Sequence, residues 1–185
     1  DSPPAEAKVA GIILAAGASR RMGSVNKLLA SIAGKPLVRH AVESFVATSL
    51  SPIIAVVGYE SDKVAAALEG LPVQLVFNPD HANGQGSSVG VGVEALDNSV
   101  TDAMIGLGDM PLLPSTLLDS LIHTHIGREG HAYNITIPVF EGQRGNPVLW
   151  GKTFFPELIT LAGDRGGRQL LNEHKAAQHL IACDH

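Results

Sequence analysis

The sequence predicts a three-layer α/β fold, in which a mostly parallel sheet of about six or seven strands carries helices on both faces. Two observations support this prediction. Short runs of apolar, often β-branched residues recur along the chain and alternate with stretches of helical spacing, which is typical of βαβ units. Several of these runs are apolar throughout, as expected of strands that are buried on both sides.

Each element follows from a local pattern. The β-branched and apolar runs predict strands at Val9–Leu14, Ile53–Val57, Val73–Phe77, Ala103–Leu107, Ile135–Val139, Pro147–Trp150 and His179–Ala182. Helical spacing predicts helices at Leu37–Thr48, Asp62–Leu68, Ser88–Leu96, Ser115–His123, Phe154–Leu161 and Gly167–His174. Pro36 suits the first turn of the first helix, Ser61 is expected to cap the second, and Ser87 or Ser88 to cap the third.

The bulk composition suits one domain. The chain has 185 residues, of which 45% are apolar and 17% charged, so one core can form and disorder is not expected. The formal charge of −5 argues against general binding to nucleic acid or to an anionic membrane. The single cysteine, Cys183, excludes an intrachain disulfide and fits a cytoplasmic protein. The longest apolar run, Val9–Ala16, is shorter than the about 18 residues of a membrane span.

Residues 1–8 are polar and proline-rich, and we interpret them as a linker or a tag ahead of a single domain at 9–185. The sequence leaves open whether that domain was cut from the C-terminal part of a longer protein.

The unusual residues concentrate in the loops that follow the strands, at 15–27, 58–60, 78–87 and 108–111. Ligands of open α/β sheets bind beyond the carboxyl ends of the strands. In the first of these loops, Gly17 and its small neighbours allow close approach of a ligand, and Arg20, Arg21 and Lys27 supply cations. The pattern suits a triphosphate, whose charge must be neutralised before reaction. A solvated basic turn remains the alternative.

The loop after the first strand resembles the signature of the nucleotidyltransferases that act on sugars, isoprenoid precursors and molybdopterin. Gly17, Arg21, Met22, Gly23 and Lys27 fall in register with it. The resemblance implies a Rossmann-like fold of the nucleotide-diphospho-sugar transferase type. It also implies that Arg21 and Lys27 are catalytic and hold the phosphates, and that the nucleotide lies on the backbone of Leu14, Ala15, Ala16 and Gly17.

A second motif, Gly108-Asp109-Met110-Pro111, follows the fourth strand. A carboxylate at a strand end is a good ligand for Mg²⁺, which prefers one or two carboxylates together with phosphate oxygens. A helix-capping role for Asp109 is the alternative. In the resembling family this motif carries the metal-binding aspartate, which implies a catalytic and metal-binding role for Asp109.

The loop from Asn78 to Ser88 is rich in glycine and in amide and hydroxyl side chains. It is similar to the base-binding stretch of molybdopterin cytidylyltransferases, and a glycine-rich surface turn is the alternative. The expected nucleotide contacts outside the first loop are Gly58, Asn78, Gly86, Ser87 and Ser88.

Two later segments resemble the acceptor-side motifs of the molybdopterin nucleotidyltransferases, namely Arg144-Gly145-Asn146-Pro147 and Gly163-Asp164-Arg165-Gly166-Gly167-Arg168. The implied acceptor-binding residues are Arg144, Gly145, Asn146, Asp164 and Arg168, although Arg144 alone also suits an exposed hairpin. The resemblance covers Val9 to Ala182. The family's Asp-x-Asp-Thr-Pro segment, which supplies a second acidic group, is not evident before the sequence ends, so the metal site is expected to be incomplete.

The resemblance to these enzymes therefore implies a Mg²⁺-dependent enzyme that transfers CMP from CTP to the phosphate of molybdopterin and releases pyrophosphate. CTP is favoured over GTP because Ala16 stands where the guanylyl branch has glycine, and its methyl group is expected to fill space that a purine needs. A molybdoenzyme of the hydroxylase type is the expected protein partner. The alternatives are guanylyl or other nucleotidyl transfer, and a non-catalytic molybdopterin-binding maturation factor.

Two histidines are not expected to act together. His123 and His125 are two residues apart on a predicted helix, so they point to different sides and are poor partners for one metal.

Overall fold

The computed structural model describes residues 6–17, 26–110, 112–161 and 167–184. Within these ranges the strands are β1 Val9–Ala15, β2 Ser31–Ile32, β3 Lys35–Pro36, β4 Ile53–Val57, β5 Gln74–Phe77, β6 Asp102–Leu107, β7 Ile135–Phe140, β8 Gln143–Arg144, β9 Val148–Gly151 and β10 Gln178–Cys183. The α-helices in the same ranges are α1 Leu37–Val46, α2 Ser61–Ala67, α3 Gln85–Glu94, α4 Ser115–Ile126, α5 Phe155–Ile159 and α6 Arg168–Glu173.

The main sheet is mixed but mostly parallel. Its strands lie in the order β10-β7-β9-β6-β1-β4-β5, and β8 pairs with β7 as a short addition. The neighbours of β1, namely β4 and β6, run parallel to it, and β9 is antiparallel to both β6 and β7. Because β7 and β10 therefore run in the same direction as β6, most strands present their carboxyl ends at one edge of the sheet. The predicted fold class is confirmed.

Hydrophobic clusters cover the two faces of the sheet. Along β1 the side chains alternate between them, since Ile13 joins one cluster and Ile12 the other. The first cluster includes buried residues of α1, α2 and α4, and the second includes buried residues of α3, α5 and α6. This double coverage explains why every residue of β1 and β4 is buried. No helix in the described residues is long and apolar enough to cross a membrane.

The predicted capping residues of two helices were wrong. Helix α2 begins at Ser61 itself, and its N-cap is Glu60 in a left-handed conformation without a side-chain capping bond. Helix α3 begins at Gln85, because Gly84 adopts a φ of 101° that ends the preceding turn. Ser87 and Ser88 therefore lie inside α3 rather than before it.

Short antiparallel pairs were not predicted from the sequence. Strands β2 and β3 form a hairpin around Ala33 and Gly34, whose φ angles are 52° and 81°. Positive φ at both central positions is the geometry of a two-residue hairpin turn. Strand β8 returns along β7 and pairs Arg144 with Val139.

Candidate active site

The lysine and the aspartate expected to be catalytic lie close together. The Nζ atom of Lys27 is 3.8 Å from Oδ2 of Asp109, although 82 residues separate them in the chain. Their side chains are 46% and 42% exposed, so both can turn towards a ligand. An exposed pair of this kind contributes about 0–1 kcal/mol to stability. The pairing therefore places a cation and a carboxylate together at the sheet edge, and each side chain can still exchange the other for a ligand.

Local packing fixes the backbone under this pair. Oδ1 of Asn26 accepts a hydrogen bond from the Leu28 amide and caps the single helical turn that carries Lys27. Leu28 is buried, and a Cβ atom at Gly108 would come within 2.8 Å of its side chain. The Gly108 amide also donates to the carbonyl of Leu14. The glycine before Asp109 thus allows the loop after β6 to lie directly against the loop after β1.

The segment Leu14–Gly17 ends the central strand β1. Leu14, Ala15 and Ala16 are all buried, whereas an added Cβ at Gly17 would meet no atom within 4 Å. The Ala16 carbonyl is also occupied, because it accepts the Tyr59 amide. A ligand can therefore reach this segment through its remaining backbone groups and through the open space around Gly17.

The loop after β5 is organised by Asn78. Its side-chain nitrogen donates to the hydroxyls of Ser87 and Ser88, and its side-chain oxygen accepts the Asp80 amide. Asn78 is 1% exposed and Ser88 is 4% exposed. The Ser87 hydroxyl in turn donates to the carbonyls of Asp80 and Gly84. These side chains therefore position the loop, and any contact with a base comes from backbone groups or from other side chains.

Gly58 and Gly86 have packing roles. A Cβ atom at Gly58 would lie 2.5 Å from Cβ of His81, so only glycine allows that histidine to pack against the end of β4. Gly86 is buried in the first turn of α3. Near Gly58, the ammonium group of Lys63 lowers the pKa of Glu60 through a hydrogen bond, which keeps this carboxylate ionised.

A cleft of about 560 Å³ opens on the α3–α5 face of the sheet. It brings together four of the acceptor-side residues expected from the sequence, namely Arg144, Gly145, Asn146 and Arg168, with Leu14 of β1. The other lining residues are Gln85, Val89, Ile105, Leu107, Ile137, Gln143, Val148, Trp150, Leu158, Gly167, Leu171 and Asn172.

Glycines next to the two cleft arginines let the backbone pass close to aromatic rings. A Cβ at Gly145 would lie 2.8 Å from the Phe140 ring, and one at Gly167 would lie 2.8 Å from the Trp150 ring. The chain can therefore pass directly over these aromatic side chains beside Arg144 and Arg168. Trp150 and the amide side chains of Gln85, Gln143 and Asn172 were not predicted as site residues, because none of them belongs to a recognised motif.

Some expected residues cannot be placed. Arg20, Arg21 and Asp164 lie outside the described residues.

Comparisons with known proteins identify the family. The MobA-like NTP transferase domain matches residues 11–178. The chain belongs to this family. It is 33% identical over 144 residues to the bifunctional protein GlmU of Agrobacterium fabrum, but spans only 30% of that protein's length. It is 29% identical over 180 residues to the nicotine blue oxidoreductase of Paenarthrobacter nicotinovorans, and covers 87% of that protein.

A solved structure supports the same fold. The crystal structure of Rv0371c from Mycobacterium tuberculosis H37Rv is similar to this chain with a TM-score of 0.83 at 23% identity, over 97% of this chain and 89% of the other. The same mycobacterial protein is also known in complex with manganese. The chain is therefore a member of a nucleotidyltransferase family. Its candidate active site comprises the Lys27–Asp109 pair and the cleft, which Leu14 and Leu107 line.

Proposed function

We propose that the protein transfers CMP from CTP to the phosphate of molybdopterin and releases pyrophosphate. The observation that carries this proposal is the arrangement at the carboxyl edge of the sheet. Nζ of Lys27 lies 3.8 Å from Oδ2 of Asp109. The hydrogen bond from Gly108 to Leu14 connects their loops to a cleft that Arg144 and Arg168 also line. A cationic, partly exposed site suits two anionic substrates, although the chain as a whole has a formal charge of −5.

The mechanism is direct in-line transfer without a protein nucleophile. The acceptor phosphate attacks the α-phosphorus of CTP, the bond to the β-phosphate oxygen breaks, and pyrophosphate leaves. Lys27 neutralises phosphate charge, and the backbone around Gly17 accommodates the nucleotide. Arg144 and Arg168 orient the acceptor, so that most of the rate enhancement comes from positioning and charge stabilisation.

Asp109 fits the requirements of Mg²⁺. It offers a hard carboxylate ligand, and its side chain is 42% exposed, so phosphate oxygens and water can complete the coordination. When bound, Mg²⁺ would neutralise the charge that develops on the phosphates. Lys27 would then leave Asp109 and contact the same phosphates.

The cleft favours a flat, polar acceptor of the pterin type. Its lining includes the apolar side chains of Trp150 and Leu158 and the amide-bearing residues Gln85, Asn146 and Asn172. Binding sites of this kind bury a ring on apolar side chains and orient it with a few polar groups. The two guanidinium groups suit the phosphate of such a molecule, because arginine binds phosphate through paired hydrogen bonds.

The choice of CTP rests on the sequence motif. Ala16 is 2% exposed and belongs to the core cluster with Leu14, so its methyl group affects a base through the backbone and not by direct contact. We therefore attribute the preference for CTP to the backbone of the segment Leu14–Gly17 that carries Ala16. A hydroxylase-type molybdoenzyme is the proposed recipient of the product.

The similarity to nicotine blue oxidoreductase favours a second candidate function, an oxidoreductase activity on the same fold. That similarity extends over 95% of the chain. The two functions differ in their products, because an oxidoreductase releases no pyrophosphate from a triphosphate.

The deciding experiment combines a nucleotide panel with a product assay. Thermal unfolding is followed with CTP, GTP, ATP or UTP and Mg²⁺, and pyrophosphate is measured after molybdopterin is added. We expect CTP to stabilise the protein most, by about 2.7 kcal/mol at one hundred times its Kd, and to yield pyrophosphate only with the acceptor. Larger stabilisation by GTP would contradict the choice of CTP. Binding of molybdopterin without pyrophosphate release would instead support a maturation factor.

A further inference from the structure

A buried cluster of two histidines and an aspartate lies at the amino edge of the sheet, away from the candidate active site. Asp102 is the first residue of β6, His125 lies in the last turn of α4, and His131 lies in the turn that leads into β7. Asp109 follows the other end of β6. With a strand rise of about 3.3 Å per residue, the two aspartates are separated by roughly 20 Å along the strand direction.

The cluster is closed to solvent except on one side. Asp102, His125 and the neighbouring Thr136 are fully buried. The side chain of His131 is 21% exposed, so the cluster reaches the surface at this residue alone among its members. A buried carboxylate is costly unless it is paired, hydrogen-bonded or bound to a metal.

Two imidazole nitrogens converge on the Asp102 carboxylate. Nε2 of His125 lies 2.8 Å from Oδ1, and Nδ1 of His131 lies 2.8 Å from Oδ2. Only the His125 contact has hydrogen-bond geometry, and Nδ1 of His131 is a buried atom without a hydrogen-bond partner. The hydroxyl of Thr101 already donates to Oδ2. The second histidine therefore brings a nitrogen to the carboxylate without directing an N–H group at it.

The surrounding structure holds these atoms in place. Nδ1 of His125 is hydrogen-bonded to the Thr136 hydroxyl at 2.7 Å. In metal sites, such an outer partner fixes the orientation of a histidine ligand and leaves its other nitrogen for the metal. The backbone at His131 and Ala132 packs closely on Gly151. A Cβ atom added at Gly151 would lie 2.2 Å from the carbonyl oxygen of Ala132.

We propose that Asp102, His125 and His131 form a second metal site that binds a transition-metal dication such as Zn²⁺. Each residue offers one ligand atom, and the three atoms lie within 4.8 Å of one another. Tetrahedral zinc with bonds of about 2.0–2.1 Å separates its ligand atoms by about 3.3 Å, so the 2.8 Å contacts need to open by about half an ångström. Water from the His131 side supplies the fourth ligand.

The ligand set separates this site from the one at Asp109. Imidazole ligands favour Zn²⁺, Co²⁺ and Ni²⁺, whereas Mg²⁺ prefers oxygen ligands alone. The site joins α4, β6 and the start of β7, so bound metal would stabilise the fold without touching the nucleotide.

The test is a titration of the Asp109→Asn protein with Co²⁺, whose visible absorption reports tetrahedral coordination, followed by competition with Zn²⁺. His131→Gln removes the most exposed ligand, so it is expected to preserve the fold and to weaken metal binding at least about tenfold. Thr136→Val keeps the shape of the outer partner without its hydroxyl, and is expected to weaken binding about 10- to 100-fold.

Two variants serve as controls. His123→Gln changes a histidine that lies on α4, as His125 does, but whose ring contacts the Asp119 carbonyl. His174→Gln disrupts the exposed group formed by Glu157, Glu173 and His174, which also offers three ligand atoms. We expect both controls to bind Co²⁺ as the parent does. The proposal is overturned if the Asp109→Asn protein binds neither metal, or if His131→Gln in that protein leaves its affinity for Co²⁺ unchanged.

Discussion

The two aspartates near the two ends of β6 differ in burial, and the difference shows how burial decides whether a side chain can change its partners. Asp102 is fully buried and contacts Thr101, His125 and His131 at 2.7–2.8 Å. The side chain of Asp109 is 42% exposed and lies 3.8 Å from Lys27. The same residue type is thus held by several contacts at the start of β6 and is free to exchange partners in the loop after its end.

The difference has an energetic basis. Removing one partner of a buried pair leaves the other charged or polar group without compensation, which costs several kcal/mol. An exposed pair contributes little, because water replaces the lost partner. A substrate can therefore separate Lys27 from Asp109 at small cost, which a reactive site requires.

The largest expected effect is on stability at the buried end. We expect Asp102→Ala to lower the free energy of unfolding by about 3–5 kcal/mol, because it leaves His125 buried without its partner. The matched variant Asp109→Ala is expected to change it by no more than about 0.5 kcal/mol. Urea denaturation in the presence of a chelator measures both. Equal losses in the two variants would show that burial does not distinguish these residues.

The next largest expected effect is the loss of catalytic rate when the exposed Asp109 is changed. We expect Asp109→Asn to lower the rate of pyrophosphate release by about 10²–10³, since it removes the carboxylate that we propose acts on the reacting phosphates through Mg²⁺. Its melting temperature should match that of the parent. Asp62→Asn, a change of an exposed carboxylate in the first turn of α2, is the control and should leave the rate unchanged. A normal rate in Asp109→Asn would place the metal elsewhere.

A smaller effect is expected from the partner of Asp109. Lys27→Ala removes the ammonium group that we propose binds phosphate, and it should weaken CTP binding by about 1.5–3 kcal/mol, the usual value for a hydrogen bond to a charged group. The fold should be retained, because the side chain is 46% exposed. Calorimetric titration of CTP with Mg²⁺ measures the loss, with Lys63→Ala as the matched control. Unfolding of Lys27→Ala would indicate a structural role instead.

The sequence was sufficient to predict the sheet, because apolar runs such as those of β1 and β4 leave few alternatives to a buried parallel strand. The sequence also placed the loops that carry Lys27 and Asp109 at the carboxyl ends of strands, but only the pairing of β1 with β6 brings the two side chains together. Strand β8 and the β2–β3 hairpin could not be predicted, because two residues are too few to show periodicity.

The buried cluster could not be predicted for a different reason. His125 was correctly separated from His123, since the ring of His123 contacts its own helix. Yet the true partners of His125 lie on β6 and β7, and only the fold brings them together. Nothing in the local spacing of these residues distinguishes them from ordinary surface histidines and aspartates.

The smallest expected effect concerns Glu43. The exposure of its carboxylate lies between those of Asp102 and Asp109. Its side chain is 30% exposed and contacts Nζ of Lys35 and Nε of Arg39, both at 3.0 Å. The hydrogen bond from Lys35, with that from Arg39, lowers the pKa of Glu43 in the folded protein. Because the pKa is lower in the folded than in the unfolded state, the stabilisation is present above the unfolded-state pKa and is lost as the pH falls through the folded-state pKa.

We therefore expect Glu43→Gln to lower the free energy of unfolding by less than about 1 kcal/mol at neutral pH, and the difference from the parent to vanish in acid. Urea denaturation of both proteins from neutral to acidic pH measures this difference. The Asp102→Ala loss, in contrast, should far exceed it at neutral pH. If Glu43→Gln were as destabilising as Asp102→Ala, hydrogen bonds to cations would matter more than burial, and the contrast between the two ends of β6 would need another cause.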